Sequence, residues 1–333
     1  MFRKVRRNLL PILISLVLIT GVTLMLYPST SQWVSAYNQS KVTSDYSNGI
    51  DKVLPPPDSQ IEAASLYNEA LVSGALVASG ERFPTAFDGE SSLPAGVKPY
   101  EQQLQVGTTG LMSRIKISKI NVDLPIYHSV SDDVLLVGAG HLEGTSLPVG
   151  GDGTRTVVSA HRGLASARMF TDLDRLEKGD IFTFETFGQV LTYRISEIQV
   201  VDPDDRQAIL PVAGKDLATL VTCTPLGINS HRILVTGERV SPTPKNEIEG
   251  LKDIDPGFPW WLIMWVGSIA GVILGVRYML FPTKKKKADA DAGADADAEA
   301  NAAADANAAA DANAAADAGA DADAQAAELV GAG

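Results

Sequence analysis

Two apolar runs, one near each end of the chain, constrain its architecture more than any other feature. The first covers residues 9–27 and follows a cluster of lysine and arginine. The second covers residues 259–281 and precedes four consecutive lysines at 284–287. Each run is about long enough to cross a hydrocarbon core of ~30 Å. Because the basic residues flank the outer end of both runs, the positive-inside rule predicts cytoplasmic termini and an extracellular segment between them.

The first run also fits a cleaved signal peptide, since residues 34–36 offer a loose small-residue cleavage site. Its length favours an uncleaved anchor. The second run contains Arg277, which can snorkel to the interface from near the cytoplasmic end. Trp260, Trp261 and Trp265 lie where an aromatic belt of the outer leaflet is expected. Both runs are therefore predicted to be transmembrane helices.

The net charge of −12 does not describe the body of the protein. Eleven of the 40 acidic residues follow residue 287, where no further lysine or arginine occurs, so the remainder carries 29 acidic and 28 basic side chains. A nearly neutral body offers no basic face for nucleic acid and no acidic face for a basic partner. We assign no function to the alanine- and aspartate-rich tail.

The composition divides the chain into seven predicted segments. These are a cytoplasmic N-terminus (1–8), an anchor (9–27), an extracellular helix with a lid or linker region (28–109), a β-rich domain (110–242), a connector (243–258), a second span (259–281) and a cytoplasmic tail (282–333). Within them we expect polar, turn-rich chain at 29–58 and a helix at 60–77, capped by Asp58 or Ser59. A long loop is predicted at 78–108, and a short helix at 166–176.

Short β-branched runs separated by turn signals dominate the β-rich domain. Seven are strand candidates: residues 114–117, 122–127, 154–160, 181–185, 190–201, 218–222 and 232–240. This spacing is typical of an antiparallel sandwich or a closed barrel, so the fold class is mainly β.

One cysteine, Cys223, follows the sixth of these runs, and a lone cysteine cannot form an internal disulfide. Such a residue is either a small buried hydrophobe or a nucleophile. A thiol needs a partner to ionise near neutral pH, and His161 could serve as acid and base. Arg232 could stabilise an oxyanion or hold substrate carbonyls. All three lie at or near predicted strand ends, where a rigid scaffold can present them together.

Three other histidines, His128, His141 and His231, compete for the role of base, and His231 adjoins Arg232. Neither a CxxC nor an HExxH pattern occurs, and no phosphate-binding glycine loop is present. The sequence therefore predicts no metal and no cofactor.

Several segments resemble the sortases. Residues 219–223 (TLVTC) are similar to the TLxTC segment of that family, residues 231–239 to its arginine-bearing strand, and residues 159–164 (SAHRGL) to its catalytic histidine segment. Residues 122–128, 140–148 and 223–229 further resemble class C, the pilus-assembling sortases. The resemblance covers residues 110–240, and the layout with two apolar runs also fits that class.

The resemblance implies an eight-stranded sortase-type β-barrel flanked by two transmembrane helices. It implies that Cys223 attacks the Thr–Gly carbonyl of an LPxTG-type sorting signal, with His161 as acid and base and Arg232 stabilising the oxyanion or positioning the signal. The expected partners are LPxTG-type pilin or surface-protein precursors, an acceptor lysine of a pilin subunit, and the membrane. Two alternatives remain: a housekeeping-type sortase that anchors surface proteins to peptidoglycan, and a non-enzymatic membrane scaffold.

One feature departs from the class C pattern. Class C sortases carry a lid with an Asp-Pro-aromatic motif before the barrel, and no such triplet occurs in this chain. Within the loop predicted at 78–108, Phe87 and Asp88 are the candidate lid anchors.

Overall fold

The computed structural model describes residues 2–73, 94–249, 256–280 and 302–303. It divides into two compact units: residues 25–263, and residues up to Leu24 together with those from Met264 onward. Phe87, Asp88 and nearly all of the tail lie outside the described residues.

The first unit is built around a closed β-barrel. Among the residues described, eight strands form it: β1 (Leu111–Ile117), β2 (Val122–His128), β3 (Ala139–His141), β4 (Arg155–Ser159), β5 (Ile181–Thr186), β6 (Gln189–Val201), β7 (Leu217–Thr224) and β8 (His231–Val240). Their order around the barrel is β1-β2-β3-β4-β7-β8-β6-β5. The β2–β3 and β4–β7 pairs are parallel and the other pairs are antiparallel. The barrel prediction is confirmed, whereas a purely antiparallel sheet is wrong.

The eighth strand, β3, escaped sequence analysis because Ala-Gly-His has no β-branched residue. Its glycine is required by close backbone contact, since a Cβ on Gly140 would lie 2.3 Å from the carbonyl oxygen of Ser129. Gly138, directly before the strand, is similarly constrained, because its Cβ would lie 2.7 Å from the carbonyl oxygen of Pro125. This strand is therefore specified by the space available to its backbone rather than by strand propensity.

The helix α1 covers Phe2–Gly49, so the expectation of turn-rich chain from residue 29 is wrong over most of that segment. Its last turns bury Gln39, Thr43 and Tyr46, which are spaced by three or four residues and share one helix face. The Tyr46 hydroxyl donates to the carbonyl oxygen of Met112 (3.3 Å) and accepts from the amide of Phe187 (2.7 Å). Packing against the barrel therefore extends this helix through polar sequence.

The helix α2 covers Pro57–Val72, and it begins earlier than expected because Pro57 occupies its first turn. Proline lacks only an N–H that would have no partner in the first turn, so it suits this position. No side chain caps the helix, and the predicted caps at Asp58 and Ser59 are wrong. The Asn68 side chain binds both backbone groups of Leu147, at 3.1 and 2.7 Å, and thereby fastens α2 to the barrel.

The remaining helices are α3 (Asp132–Val137), α4 (Lys245–Glu249) and α5 (Trp260–Leu280). By length and composition, α1 and α5 each contain a segment able to cross a membrane, as the sequence predicted. The helix expected at 166–176 is wrong: only a 3₁₀ turn at Leu173–Arg175 is found there. That segment is folded instead as a loop, and the amide of Phe170 donates to the carbonyl oxygen of His161 at 3.0 Å.

A buried ion-pair cluster joins β1, β2 and β5. Arg114 on β1 is 1% exposed, and its guanidinium lies 2.7 Å from a carboxylate oxygen of Asp123 and 3.1 Å from one of Glu185. It also donates to the Ser47 hydroxyl at 3.0 Å, which connects the cluster to α1. Each buried charge is thus compensated by an opposite one.

We predict that Arg114→Met lowers the free energy of unfolding by about 3–5 kcal/mol, because it removes the buried guanidinium that pairs with both Asp123 and Glu185. Chemical denaturation of the detergent-purified chain would measure the loss. The matched control is Lys119→Met, which removes a solvent-exposed cation paired with Glu177 and Asp180 and should leave the denaturation midpoint unchanged. Equal midpoints for wild type and Arg114→Met would contradict the prediction.

Candidate active site

Strand pairing brings Cys223 and Arg232 face to face. In the antiparallel β7–β8 ladder the two residues are direct Cα partners, so their side chains project from the same side of the sheet. Four residues away from both, the hydroxyls of Thr219 and Thr236 are 3.0 Å apart on that same side. Cys223 and Arg232 are nine residues apart in sequence, and the connection between β7 and β8 brings them side by side.

Cys223 lies on the outer side of the barrel. Along β7, Ala218 and Leu220 belong to the hydrophobic core, and side chains of a strand alternate between its two faces. Cys223 therefore faces away from the core, and it is partly exposed as a free thiol. This position argues against the alternative of a small buried hydrophobe.

The parallel β4–β7 ladder ends two residues before His161. Its last registered pair is Ser159 with Val221, and the Ala160 amide continues the ladder by donating to the Val221 carbonyl at 3.2 Å. The Thr222 hydroxyl then donates to the Ala160 carbonyl at 2.8 Å. His161 follows Ser159 by two residues, as Cys223 follows Val221, so both residues leave the same end of the paired strands.

The Arg232 guanidinium turns towards the connection between β7 and β8. Its Nη1 donates to the carbonyl oxygens of Asn229 and His231, both at 3.0 Å. Within the part of the chain that the structure describes, its Nε and Nη2 have no hydrogen-bond partner. Because the protein engages only Nη1 of the guanidinium within the described residues, Nε and Nη2 can donate to carbonyl oxygens of a bound peptide.

The other three histidines are placed elsewhere. His141 is fully buried, with Nε2 2.9 Å from the Ser146 carbonyl oxygen and Nδ1 2.9 Å from the Tyr100 hydroxyl. Burial lowers the pKa of His141 to about 4; the hydrogen bond to the Ser146 carbonyl opposes this shift, and the nearby His128 adds to it. Since the carbonyl can only accept, Nε2 carries the proton and Nδ1 accepts from the tyrosine, whose own pKa is raised by burial.

His128 is buried as well, and its two ring nitrogens lie 2.8 and 2.9 Å from the carbonyl oxygens of Gly110 and Gln103. His231 pairs across the ladder with Thr224, one position beyond Cys223, so strand alternation directs it away from the thiol. Its ring lies 3.4 Å from a carboxylate oxygen of Asp202. Of the four histidines, His161 is the one whose register matches that of the cysteine.

The segment before the barrel is packed where it is described. Tyr100 and Leu104 are buried, and Tyr100 binds His141 and the amide of Ser129. Residues 94–108 of the loop expected at 78–108 are irregular apart from a 3₁₀ turn at Tyr100–Gln102, as predicted, and they are held against β2 and β3. The candidate lid anchors Phe87 and Asp88 lie outside the described residues, so their role stays a prediction.

One functional candidate was missed from the sequence: Arg162, directly after His161, whose side chain is only 7% exposed. The only signal for it was a charged residue at the end of an apolar strand. Among the described residues, no group of three or more His, Cys, Asp or Glu side chains could hold a metal ion.

Comparisons with known proteins agree on one family. The family model described as "Sortase domain" matches residues 115–240. The crystal structure of sortase C1 from Streptococcus agalactiae is 39% identical, covers 61% of this chain and all of its own, and superposes with a TM-score of 0.52. That of Streptococcus pneumoniae sortase C, reported in connection with pilin substrate specificity, is 36% identical, with 61% and 98% covered and a TM-score of 0.52.

Among curated relatives, sortase D of Bacillus subtilis (strain 168) is 33% identical over 138 residues. The match covers 40% of this chain and 66% of that relative, so it spans just under two thirds of the relative's length. The similarity is therefore concentrated in the barrel.

The neutral state of His141 predicts a pH dependence of stability. Its pKa of about 4 in the folded protein lies below the ordinary value near 6.5, so the unfolded chain binds the proton more readily. The stability that this residue contributes is complete above pH ~6.5 and is lost as the pH falls towards 4, by roughly 3 kcal/mol. Urea denaturation between pH 7 and 4 should show a steeper decline for wild type than for His141→Gln. Parallel curves would contradict the prediction.

Proposed function

Because the chain belongs to the sortase family, we propose that it is a membrane-anchored cysteine transpeptidase that cleaves LPxTG-type sorting signals between Thr and Gly. We further propose that it joins pilin subunits through a lysine isopeptide bond. The observation that supports the proposal is that two ladders flank β7: Arg232 is the direct partner of Cys223 in one, and the other ends two residues before His161. No other cysteine in the chain could act as nucleophile.

In the first step, the Cys223 sulfur attacks the carbonyl carbon of the Thr–Gly bond. Arg232, whose Nε and Nη2 have no hydrogen-bond partner among the described residues, stabilises the charge that develops on the carbonyl oxygen. His161 gives a proton to the leaving glycine amine as the carbon–nitrogen bond breaks. The product is a thioester between Cys223 and the threonine of the sorting signal, and the glycine-bearing fragment departs.

In the second step, the ε-amine of a lysine attacks the thioester carbonyl. The carbon–sulfur bond breaks, an amide bond forms, and His161 takes up the proton that the amine loses. Water competes with the lysine for this intermediate, so exclusion of water from the groove favours transpeptidation over hydrolysis. A lid formed by the segment containing Phe87 and Asp88 would serve this purpose.

Pilin joining is favoured over anchoring to peptidoglycan by two solved structures that are similar to this chain. Sortases C from two streptococci share 39% and 36% of their residues with it and are covered almost completely. The second apolar helix, α5, and the Leu-Gly-Ile-Asn run at 226–229 support the same choice. Anchoring to peptidoglycan remains the alternative, and the experiment below distinguishes it from pilin joining.

We propose that both termini are cytoplasmic and that the barrel is extracellular. The basic residues at the outer ends of both apolar runs support this orientation. It would place the barrel where secreted precursors emerge from the membrane. The non-enzymatic scaffold would require the same orientation, but it predicts that loss of the thiol has no effect.

The proposal is tested with the detergent-purified full chain, an LPxTG-type peptide and a pilin domain that carries candidate acceptor lysines. Mass spectrometry should detect a thioacyl adduct on Cys223 and a lysine-linked product. Cys223→Ala should abolish both, because alanine has no nucleophile. Resolution only by a peptidoglycan-like amine would favour the anchoring sortase, and full product formation by Cys223→Ala would refute cysteine catalysis.

Arg232→Lys provides a second test. We expect kcat/KM to fall by about 100-fold, as is typical when an oxyanion donor is removed. The lysine keeps the charge but cannot reproduce the planar, multi-donor fork. Arg194→Lys, a change of the same type on β6 that is not part of the site, is the matched control and should retain wild-type kcat/KM. Wild-type turnover by Arg232→Lys would remove Arg232 from the mechanism.

A further inference from the structure

A buried guanidinium connects the strand end that carries the thiol to the loop that carries the imidazole. Arg162 immediately follows His161, and its side chain is 7% exposed. Its Nη1 donates to the hydroxyl of Thr224, the residue after Cys223, at 3.1 Å. Arg162 therefore adjoins His161 in sequence, and its side chain contacts the residue that follows Cys223.

The other two nitrogens of the same guanidinium bind the far side of the loop. Nε donates to the carbonyl oxygen of Thr171 at 3.1 Å, and Nη2 lies 2.6 Å from a carboxylate oxygen of Asp174. All three nitrogens of the fork are therefore engaged by three different residues. Only a planar group with diverging donors can make this set of contacts.

The loop itself, residues 161–172, is closed by its own hydrogen bonds. The amide of Phe170 donates to the carbonyl of His161 at 3.0 Å, and the amide of Gly163 donates to the Thr171 hydroxyl at 3.1 Å. These bonds hold the loop together internally, but they do not fix its position relative to β7.

The position of the loop relative to β7 depends on the burial of Ala167, Met169 and Phe170 in the core and on a few hydrogen bonds. The ladder between β4 and β7 ends with the bonds of Ala160 to Val221 and Thr222. Beyond Ala160, within the residues that the structure describes, the bond from Arg162 to Thr224 is the one hydrogen bond that joins residues 161–164 to β7. Arg162 therefore makes the hydrogen bond to β7 that lies nearest to His161 in sequence.

We propose that Arg162 is a positioning residue, which holds His161 at the distance from Cys223 that proton transfer requires. The proposal rests on the proposed cysteine chemistry, and it assigns Arg162 no contact with substrate. Displacement of a catalytic group by about 1 Å can reduce a rate by as much as 10²-fold. Loss of the contact with Thr224 should therefore lower kcat more than it raises KM.

The test compares Arg162→Lys and Thr224→Val with Arg175→Lys in the detergent-purified full chain. Arg175 is the matched control because it lies on the same segment, forms an ion pair with Asp172 and is 71% exposed, away from Thr224. Two readouts are measured: kcat and KM on an LPxTG-type peptide, and the rate of alkylation of Cys223 by iodoacetamide from pH 5 to 9. Because the chain has a single cysteine, the alkylation signal is unambiguous.

We expect Arg162→Lys to lower kcat by about 10- to 100-fold with KM changed less than about threefold. The alkylation profile should shift, because thiolate formation depends on a correctly placed imidazole. Thr224→Val should reproduce part of the effect, and the double variant should be no worse than Arg162→Lys, since both changes break one contact. Arg175→Lys should match wild type in both readouts.

Loss of stability alone would give a different result. A melting curve for each variant gives its folded fraction, and a rate loss that disappears after normalisation to this fraction overturns the proposal. A wild-type kcat and alkylation profile in folded Thr224→Val would also overturn it. If wild type does not turn over the peptide, the proposed function fails, but the alkylation profiles still decide whether Arg162 positions His161.

Discussion

The hydrogen-bond ladders on the two sides of β7 are the interaction on which the rest of the site depends. One edge of β7 pairs in parallel with β4 and the other pairs antiparallel with β8, which sets His161 and Arg232 relative to Cys223. Closure of the barrel prevents either ladder from slipping, because a shift of one residue would turn every core side chain of that strand outward. The register is thus maintained by the whole core rather than by contacts at the site.

Beyond the ends of the ladders, buried polar contacts hold the helices and loops against the barrel. Arg114 with Asp123 and Glu185 joins three strands and α1, whereas Asn68 fastens α2 to the chain before β4. Arg162 likewise connects the loop after β4 to β7, through Thr171 and Thr224. Each of these groups lost its hydrogen bonds to water on burial and regained hydrogen bonds only through specific protein partners. Each therefore specifies one arrangement of the elements that it joins.

Burial also separates the histidines by chemistry. The desolvated His141 is held neutral by its low pKa and by fixed partners on both ring nitrogens, which suits a structural role. His161, in contrast, is partly exposed. The two side chains therefore have different environments, although the residue type is the same.

The sequence by itself determined the apolar runs, seven of the eight strands, the barrel class and the three candidate catalytic residues, because alternation, span length and residue chemistry are local properties. It did not reveal β3, the extension of α1 through polar chain or the role of Arg162. Those features depend on contacts between residues far apart: close backbone approach at Gly140, the barrel surface under Tyr46, and Thr224 beside Arg162. Only the tertiary structure buried His128 and His141 and turned His231 to the side of β8 opposite Arg232, since burial and strand register are properties that no single segment carries.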